Sequence, residues 1–262
     1  MSVRAPELRD PHGGPDAGLA SLTMKQLPLA ISPLPQPTLD NFVPGGNAAV
    51  MDHLRRWPDT VLGVSTDGTS PGPANDRLAP PLYLWGTAGC GKSHLLRGLA
   101  ARAAAAGGAC GWFDARDAGP WLLQPAWSLV VIDGCEALSA AAQHAAFVLF
   151  TEAQTHGVPL AAAGTLAPAN LPLRDDLRTR LAWGHVFALQ PLSEQDTCTA
   201  LLNEAQRRGL HLPAEVCNYL MSRFPRDLSS LMALLAALDE HGLATKRRVT
   251  VPLVRDLIAQ TA

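Results

Sequence analysis

The feature that most limits the fold of this chain is a glycine-rich turn between the apolar run Leu82–Trp85 and a predicted helix over residues 92–106. The turn matches the G-x-x-x-x-G-K-[ST] pattern, in which successive backbone N–H groups curl around a phosphate. Glycine is needed because a Cβ would obstruct that approach. The residues of the turn are Gly86, Thr87, Ala88, Gly89, Cys90, Gly91, Lys92 and Ser93, and His94 follows directly. We therefore predict a site for a nucleoside di- or triphosphate, with His94 included in it.

Lys92 and Ser93 carry the polar chemistry of this motif. The Lys92 ammonium can reach the β- and γ-phosphates, and the Ser93 hydroxyl can bind Mg²⁺. A second Mg²⁺ ligand is expected at Asp133, because residues 128–132 form an apolar strand that ends in this carboxylate. The sequence therefore predicts nucleotide binding with Mg²⁺.

The residue after Asp133 bears on hydrolysis. Many hydrolytic P-loop ATPases carry a second carboxylate at this position, where it orients or deprotonates the attacking water. This chain has Gly134 there and Glu136 two residues later. Glu136 either takes a related role or is a solvated residue that leads into the next helix. We expect hydrolysis by this chain alone to be weak or absent.

Five apolar runs indicate strands, and they alternate with helical segments. They are 82–85, 110–113, 129–132, 158–163 and 185–189. This alternation predicts an α/β fold with a five-stranded parallel sheet. After residue 191 the strand signals stop, and amphipathic patterns predict a small all-helical lid.

Composition divides the chain into four segments. Residues 1–23 lack periodicity and are expected to be disordered, and residues 24–38 are a proline-rich extended arm. Residues 39–190 are expected to form the nucleotide-binding domain, and residues 191–262 the lid.

Charge and cysteine content restrict the environment of the protein. The formal net charge is −2, so no overall basic field favours nucleic acid or an anionic membrane. Neither a signal peptide nor a membrane-spanning stretch is recognised, and a cytoplasmic location is expected. The five cysteines are scattered and are expected to be reduced thiols.

Two segments resemble the AAA+ family, and in particular its DnaA branch. Residues 38–43 are similar to the segment that packs near the adenine, and residues 178–184 resemble box VII of that branch. The resemblance extends from about Met24 to the end of the chain. It implies that Arg180 is an arginine finger that reaches the γ-phosphate of a neighbour's ATP, with Arg178 and Arg174 as less well-matched candidates. An arginine in this role is worth about 10³–10⁵ in rate.

The same resemblance assigns two sensor positions. Thr165 follows the fourth strand at the sensor 1 position, where an acidic residue is commoner. Arg226 matches the sensor 2 arginine, which contacts the nucleotide from the lid. Both are therefore expected to belong to the nucleotide site.

The arm resembles the Q-L-x-L peptide with which replication proteins dock on the sliding clamp. Gln26 would bind at the pocket rim, while Leu27, Leu29 and Ile31 would fill an apolar groove. A DnaA-like module with this arm, and without a helix-turn-helix domain after the lid, is typical of regulatory inactivators of DnaA. The resemblance implies ADP or ATP as the ligand. It implies DnaA and the β sliding clamp of DNA polymerase III as partners, with a homodimer also plausible.

Two other functions remain open on the sequence. A self-contained AAA+ ATPase, such as a helicase loader, would use Glu136 in catalysis. A DNA-binding replication factor would use the basic run at residues 246–248. Sequence-specific DNA binding and membrane attachment are not expected.

Overall fold

A five-stranded parallel sheet lies at the centre of the protein. The computed structural model describes residues 36–57, 80–117, 119–223, 228–245 and 249–261. The strands are β1 (Leu82–Trp85), β2 (Ala109–Phe113), β3 (Trp127–Ile132), β4 (Leu160–Gly164) and β5 (His185–Ala188). Their order across the sheet is β2-β3-β4-β1-β5, and all neighbouring pairs are parallel. The predicted α/β fold with a five-stranded parallel sheet is confirmed.

Alternation along each strand sends neighbouring side chains to opposite faces of the sheet. Leu82 and Leu84 of β1 pack on one face, whereas Tyr83 packs on the other. Every residue of β4 is buried, as expected for a central strand that is covered on both sides. The carboxyl ends of β1, β3 and β4 consequently meet at one edge, where a functional site can form.

Two pairs of helices cover the sheet. Helices α1 (Ala48–Arg56) and α2 (Lys92–Ala105) pack on the face of Leu82, and α3 (Ala140–Thr155) and α4 (Asp175–Trp183) pack on the face of Tyr83. The side chain of Ser139 caps α3 by accepting a hydrogen bond from the Ala142 N–H, which explains why this helix starts as its sequence predicts. The bounds of α4 were not predicted, because its nine residues have little apolar periodicity.

The last four helices share a separate apolar core. They are α5 (Glu194–Arg207), α6 (Ala214–Arg223), α7 (Leu228–Thr245) and α8 (Val251–Thr261). Leucines such as Leu201, Leu220 and Leu235 are fully buried there. The expected lid helices are thus present. The amphipathic spacing of α5, α6 and α8 explains which face each one buries, whereas α7 is apolar around most of its surface.

The lid contradicts one sequence-based expectation. Cys198 of α5 and Cys217 of α6 are paired as a disulfide, with their Cα atoms 6.4 Å apart, which is within disulfide reach. The prediction of five reduced thiols is therefore wrong for these two residues. Their separation of 19 residues carried no signal, because only the packing of α5 against α6 brings them together.

A buried asparagine joins α1 to the chain that leads into the lid. The Asn47 side chain donates to the Gln190 carbonyl and accepts from the Gln190 N–H, each at 2.8 Å. Both backbone groups of Gln190 are satisfied in this way, which fixes the exit of β5. Within the described residues no helix combines the length and hydropathy needed to cross a membrane.

Candidate functional site

The glycine-rich turn lies between β1 and α2 at the carboxyl edge of the sheet. Gly86 has φ +152°, and a Cβ there would lie 2.5 Å from the Leu189 carbonyl oxygen. Gly91 has φ +95° and occupies the N-cap of α2. Only glycine adopts these backbone angles at low cost, so the turn directs its N–H groups and the start of α2 to one side. This is the geometry of a phosphate cradle.

Lys92 and Ser93 lie at the start of α2 and face this cradle. The Lys92 ammonium donates to the carbonyls of Gly86 and Thr87, each at 2.8 Å. The Ser93 hydroxyl donates to Oδ2 of Asp133 at 2.6 Å. Residues that are 40 positions apart in the sequence thus meet because β1 and β3 end at the same edge.

These residues fit a nucleotide and its metal. A serine hydroxyl beside a carboxylate supplies the oxygen ligands that Mg²⁺ prefers, and an ammonium at the turn supplies charge for phosphates. Gly86 and Gly91 have positive φ angles and close protein neighbours, so a residue with a Cβ at either position would strain the turn. Ser93 and Asp133 would hold the metal, and Lys92 would contact phosphate oxygens.

His94 connects the turn to the leading segment, residues 38–43. Its Nε2 lies 3.0 Å from the Thr38 carbonyl oxygen and 2.9 Å from Oδ1 of Asn41. Burial lowers the pKa of His94, the hydrogen bond with Thr38 opposes that shift, and the charge of Arg97 adds to it. Phe42 lies so close to the turn that a Cβ on Gly91 would be 2.6 Å from its ring. The leading segment therefore lies against the turn, and its expected contact with the adenine stays a prediction.

Glu136 is half-buried and is hydrogen-bonded to the loop that follows β4. Its Oε2 accepts a hydrogen bond from the Thr165 N–H at 3.0 Å. The hydroxyl of Tyr83 donates to the Leu166 carbonyl at 2.9 Å, and burial raises the pKa of this tyrosine above its usual range. The loop after β3 is thus tied to the loop after β4, which contains the sensor 1 position Thr165.

Arg180 lies apart from this site. Its Nη1 donates to Oε1 of Gln154 at 3.0 Å, and its guanidinium lies over two aromatic rings of α3. Within the described residues, none of these contacts goes to the glycine-rich turn. Arg178 pairs with Asp175 at 2.6 Å and Arg174 pairs with Asp176 at 2.7 Å.

Several predicted residues lie outside the described residues. They are Gln26, Leu27, Leu29 and Ile31 of the arm, Arg226 at the sensor 2 position, and the basic run 246–248. The roles of these residues stay predictions.

The lid and the core each match known proteins. Residues 194–258 match the family model described as Hda, lid domain. The whole fold is similar to domain III of the Thermotoga maritima replication initiation protein DnaA, with a TM-score of 0.65 and 19% identity over 87% of this chain and 98% of that chain. The last quarter of the chain is therefore similar in sequence to the lid domain of Hda, and the whole chain shares the fold of DnaA domain III.

Two further structures show that proteins with different functions share this fold. AMPPCP-bound DnaA from Aquifex aeolicus has a TM-score of 0.59 and 19% identity, covering 82% of this chain and 68% of that chain. The Thermotoga maritima RuvB Holliday junction branch migration motor has a TM-score of 0.53 and 14% identity, covering 80% of this chain and 68% of that chain. At these identities the similarity concerns the fold, so it does not by itself choose between initiator and motor.

Sequence reasoning missed the residues that surround Arg180. Phe147, Phe150 and Gln154 lie on α3 at spacings of three and four residues, so they share one face of that helix. This spacing could have been read from the sequence. It gives no sign that α4 brings Arg180 to the same face.

Proposed function

We propose that this protein is a negative regulator of replication initiation that promotes hydrolysis of ATP bound to DnaA. It binds an adenine nucleotide, ADP or ATP, with Mg²⁺ in the cradle of Lys92, Ser93 and Asp133. Arg180 acts in trans as the arginine finger on the ATP of DnaA. This proposal joins the Hda lid match and DnaA-like fold to the geometry around Arg180.

The observation that carries the proposal is the difference in hydrogen-bond and ion-pair partners among three neighbouring arginines. Arg174 and Arg178 each form an ion pair with an aspartate of the same helix. Within the described residues Arg180 forms no ion pair, and its polar partner is the neutral amide of Gln154. An arginine finger stabilises the charge that develops on the transferred phosphoryl group, and a guanidinium without a carboxylate partner can meet the phosphate without first breaking an ion pair. Among the described residues, Arg180 has such a guanidinium.

The nucleotide site supports a regulatory role over turnover. Gly134 occupies the position that follows Asp133, where a second carboxylate would activate water. The Glu136 carboxylate is committed to the Thr165 N–H. A bound nucleotide would then set the conformation of the protein, because it joins the turn, the strand ends and the lid. We expect this chain alone to hydrolyse ATP weakly or not at all.

The arm supplies the second half of the proposal. Gln26, Leu27, Leu29 and Ile31 would dock on the β sliding clamp, with Gln26 at the pocket rim and the apolar side chains in the groove. Docking on a clamp that is loaded on DNA would hold this protein near DNA-bound DnaA and would raise the effective concentration of this protein at DnaA.

The test is hydrolysis of radiolabelled ATP that is pre-bound to DnaA, with clamp loaded on DNA. Arg180→Ala should reduce the stimulated rate by about 10³-fold, because a trans-acting arginine is worth about 10³–10⁵. Arg178→Ala is the matched control, since it removes the same charge two residues away and should retain most of the stimulation. Gln26→Ala should abolish the dependence on the clamp.

Nucleotide binding by each variant must stay at the level of the unmodified protein. If Arg180→Ala and Gln26→Ala both leave DnaA-ATP hydrolysis unchanged, the proposal is wrong. Steady hydrolysis by the isolated protein that depends on Glu136 would instead identify a self-contained ATPase.

A further inference from the structure

The guanidinium of Arg180 is held by three residues of α3. Its Cζ lies 4.9 Å from the ring centre of Phe147 and 5.6 Å from that of Phe150. Its Nη1 donates to Oε1 of Gln154 at 3.0 Å. Both contact types fix direction as well as position, since a cation prefers the ring face and a planar guanidinium donates in its own plane.

The platform under Arg180 is itself fixed. Phe150 is fully buried in the core between α3 and the sheet. Phe147 lies one turn earlier on the same helix and also faces the guanidinium of Arg174, at 5.8 Å. Arg180 therefore rests on one ring, that of Phe150, whose position is set by the packing of the domain, and on the half-buried ring of Phe147.

The chemistry of Gln154 distinguishes this contact from an ordinary ion pair. Its amide oxygen accepts a hydrogen bond without supplying a negative charge, so the positive charge of Arg180 is not cancelled. A guanidinium has five N–H donors, and the bond to Gln154 uses one of them. Among the described residues no other hydrogen bond is made by this guanidinium, so its remaining donors can bind a phosphate. Arg180 also lines an open groove beside α4, so a partner can reach it. The other lining residues are Phe147, Thr179 and two aspartates that are paired with other arginines, Asp175 with Arg178 and Asp176 with Arg174.

A freely moving arginine would lose rotamer entropy when it docked on a phosphate. Immobilising such a side chain lowers an equilibrium constant by roughly 3–10-fold, and a side chain that is already ordered avoids most of this loss. Contacts that order Arg180 in the isolated protein would therefore raise the rate that it can supply to its partner.

We propose that Phe147 and Gln154 are positioning residues that hold the guanidinium of Arg180 in place, charged and uncompensated, for a phosphate on a second protein. This inference rests on the proposed function of Arg180. It adds that the finger is preordered by α3 and is not mobile until the partner binds.

The first test uses single-turnover hydrolysis of radiolabelled ATP bound to DnaA, at saturating protein. Gln154→Met keeps the length of the side chain without its oxygen, and Phe147→Leu keeps apolar bulk without a ring face. Each should lower the rate by about 3–10-fold, which is the cost of ordering one long side chain. The protein concentration for half-maximal stimulation should stay unchanged. Phe147→Tyr keeps the ring and should stay within about twofold of the unmodified protein.

Unchanged or faster hydrolysis in Gln154→Met and Phe147→Leu, with Arg180→Ala inactive, would overturn the inference and leave the proposed function intact. Faster hydrolysis would mean that α3 restrains Arg180 and does not prepare it. If Arg180→Ala itself retains stimulation, it is the proposed function that fails.

A second test does not depend on DnaA. Protons above an aromatic ring resonate upfield, so the side-chain NMR signal of Arg180, identified by its absence in Arg180→Ala, should be shifted upfield. The shift should become smaller in Phe147→Leu, which leaves only the ring of Phe150, and should persist in Phe147→Tyr. An Arg180 signal at the position of a free arginine in the unmodified protein would show that the contact is absent and would overturn the inference.

Discussion

The glycine-rich turn and the Arg180 surface are built by different means. The turn is defined by its own backbone, because Gly86 and Gly91 adopt angles that other residues avoid and Lys92 binds carbonyls of the same loop. The Arg180 surface is defined by side chains of two helices, with Arg180 on α4 and Gln154 on α3. A site made from backbone is specified by a few adjacent residues, whereas a site made from side chains depends on how whole helices pack.

This difference predicts how each site fails. A substitution that changes the backbone of the turn should damage stability and binding together. A substitution on the Arg180 surface should change the presentation of one side chain while the fold persists. The four predictions below probe the turn and its supports, in order of expected effect.

Gly86→Ala should have the largest effect. Its new Cβ would lie 2.5 Å from the Leu189 carbonyl oxygen at φ +152°, and neither backbone segment can move without disturbing β1 or the exit of β5. We expect the free energy of unfolding to fall by about 3 kcal/mol, as for other strained backbone positions, and nucleotide binding to be lost. Chemical denaturation and calorimetric titration with ADP measure the two effects.

Gly157→Ala is the matched control. Gly157 has φ +69°, but a Cβ there would meet no atom within 4 Å. The same chemical change should cost only the backbone term of about 1–2 kcal/mol and should leave ADP binding intact. Equal losses in the two variants would show that the contact with Leu189 has no special importance.

Lys92→Ala should weaken nucleotide binding without unfolding the protein. A charge-assisted hydrogen bond contributes about 1.5–3 kcal/mol, which corresponds to roughly 10–100-fold in the dissociation constant of ADP or ATP. Arg97→Ala removes the same charge from the exposed side of α2 and should leave affinity nearly unchanged. Lys92→Ala should also leave the NMR signal of Arg180 unchanged. A shift of that signal in Lys92→Ala would mean that the two sites are not independent.

Glu136→Ala should loosen the loop that carries Thr165. It removes the acceptor of the Thr165 N–H, which costs about 1–2 kcal/mol for a partly buried group. Hydrogen exchange at the Thr165 amide should accelerate by about tenfold, since about 1.4 kcal/mol is a factor of ten. Glu136→Gln keeps an acceptor oxygen and should exchange at close to the original rate. Identical exchange in all three proteins would contradict the assigned hydrogen bond.

The smallest effect is the pH dependence contributed by His94. Burial lowers its pKa in the folded protein, so the unfolded chain takes up a proton first as the pH falls. The stability contribution should therefore be complete above about pH 6.5 and decline below it, by less than about 1 kcal/mol. Urea unfolding between about pH 8 and about pH 5 measures this decline, and His94→Gln should not show it. A contribution that grows towards acidic pH would contradict a lowered pKa.

Much of the fold was predictable from the sequence, because each element is encoded by neighbouring residues. β1 lies at the residues of its apolar run, and α3 begins after its Ser139 cap. Helices α5, α6 and α8 follow from their amphipathic spacing, and α7 follows from its long apolar run. The bounds of α4 were not predicted. Only two leucines of this helix, Leu177 and Leu181, are buried, and its many charged residues obscure the apolar pattern.

The candidate site also has one part that the sequence predicted and one part that it did not. The glycine-rich turn, with Lys92 and Ser93, could be predicted because its chemistry and its backbone angles are encoded in adjacent residues. The hydrogen bond between Glu136 and Thr165 could not be predicted. It joins residues that are 29 positions apart, and only the order of the strands brings them together.

The sequence by itself determined the phosphate cradle, the parallel α/β sheet and the arginines that could act on a phosphate. Only the tertiary structure decided which arginine lacks a carboxylate partner within the described residues, which helix holds it, and that Cys198 faces Cys217. The physical reason is the separation along the chain of the residues that interact. Backbone conformation and periodicity are set by neighbours in the chain, whereas contacts between helices depend on packing that no local pattern records.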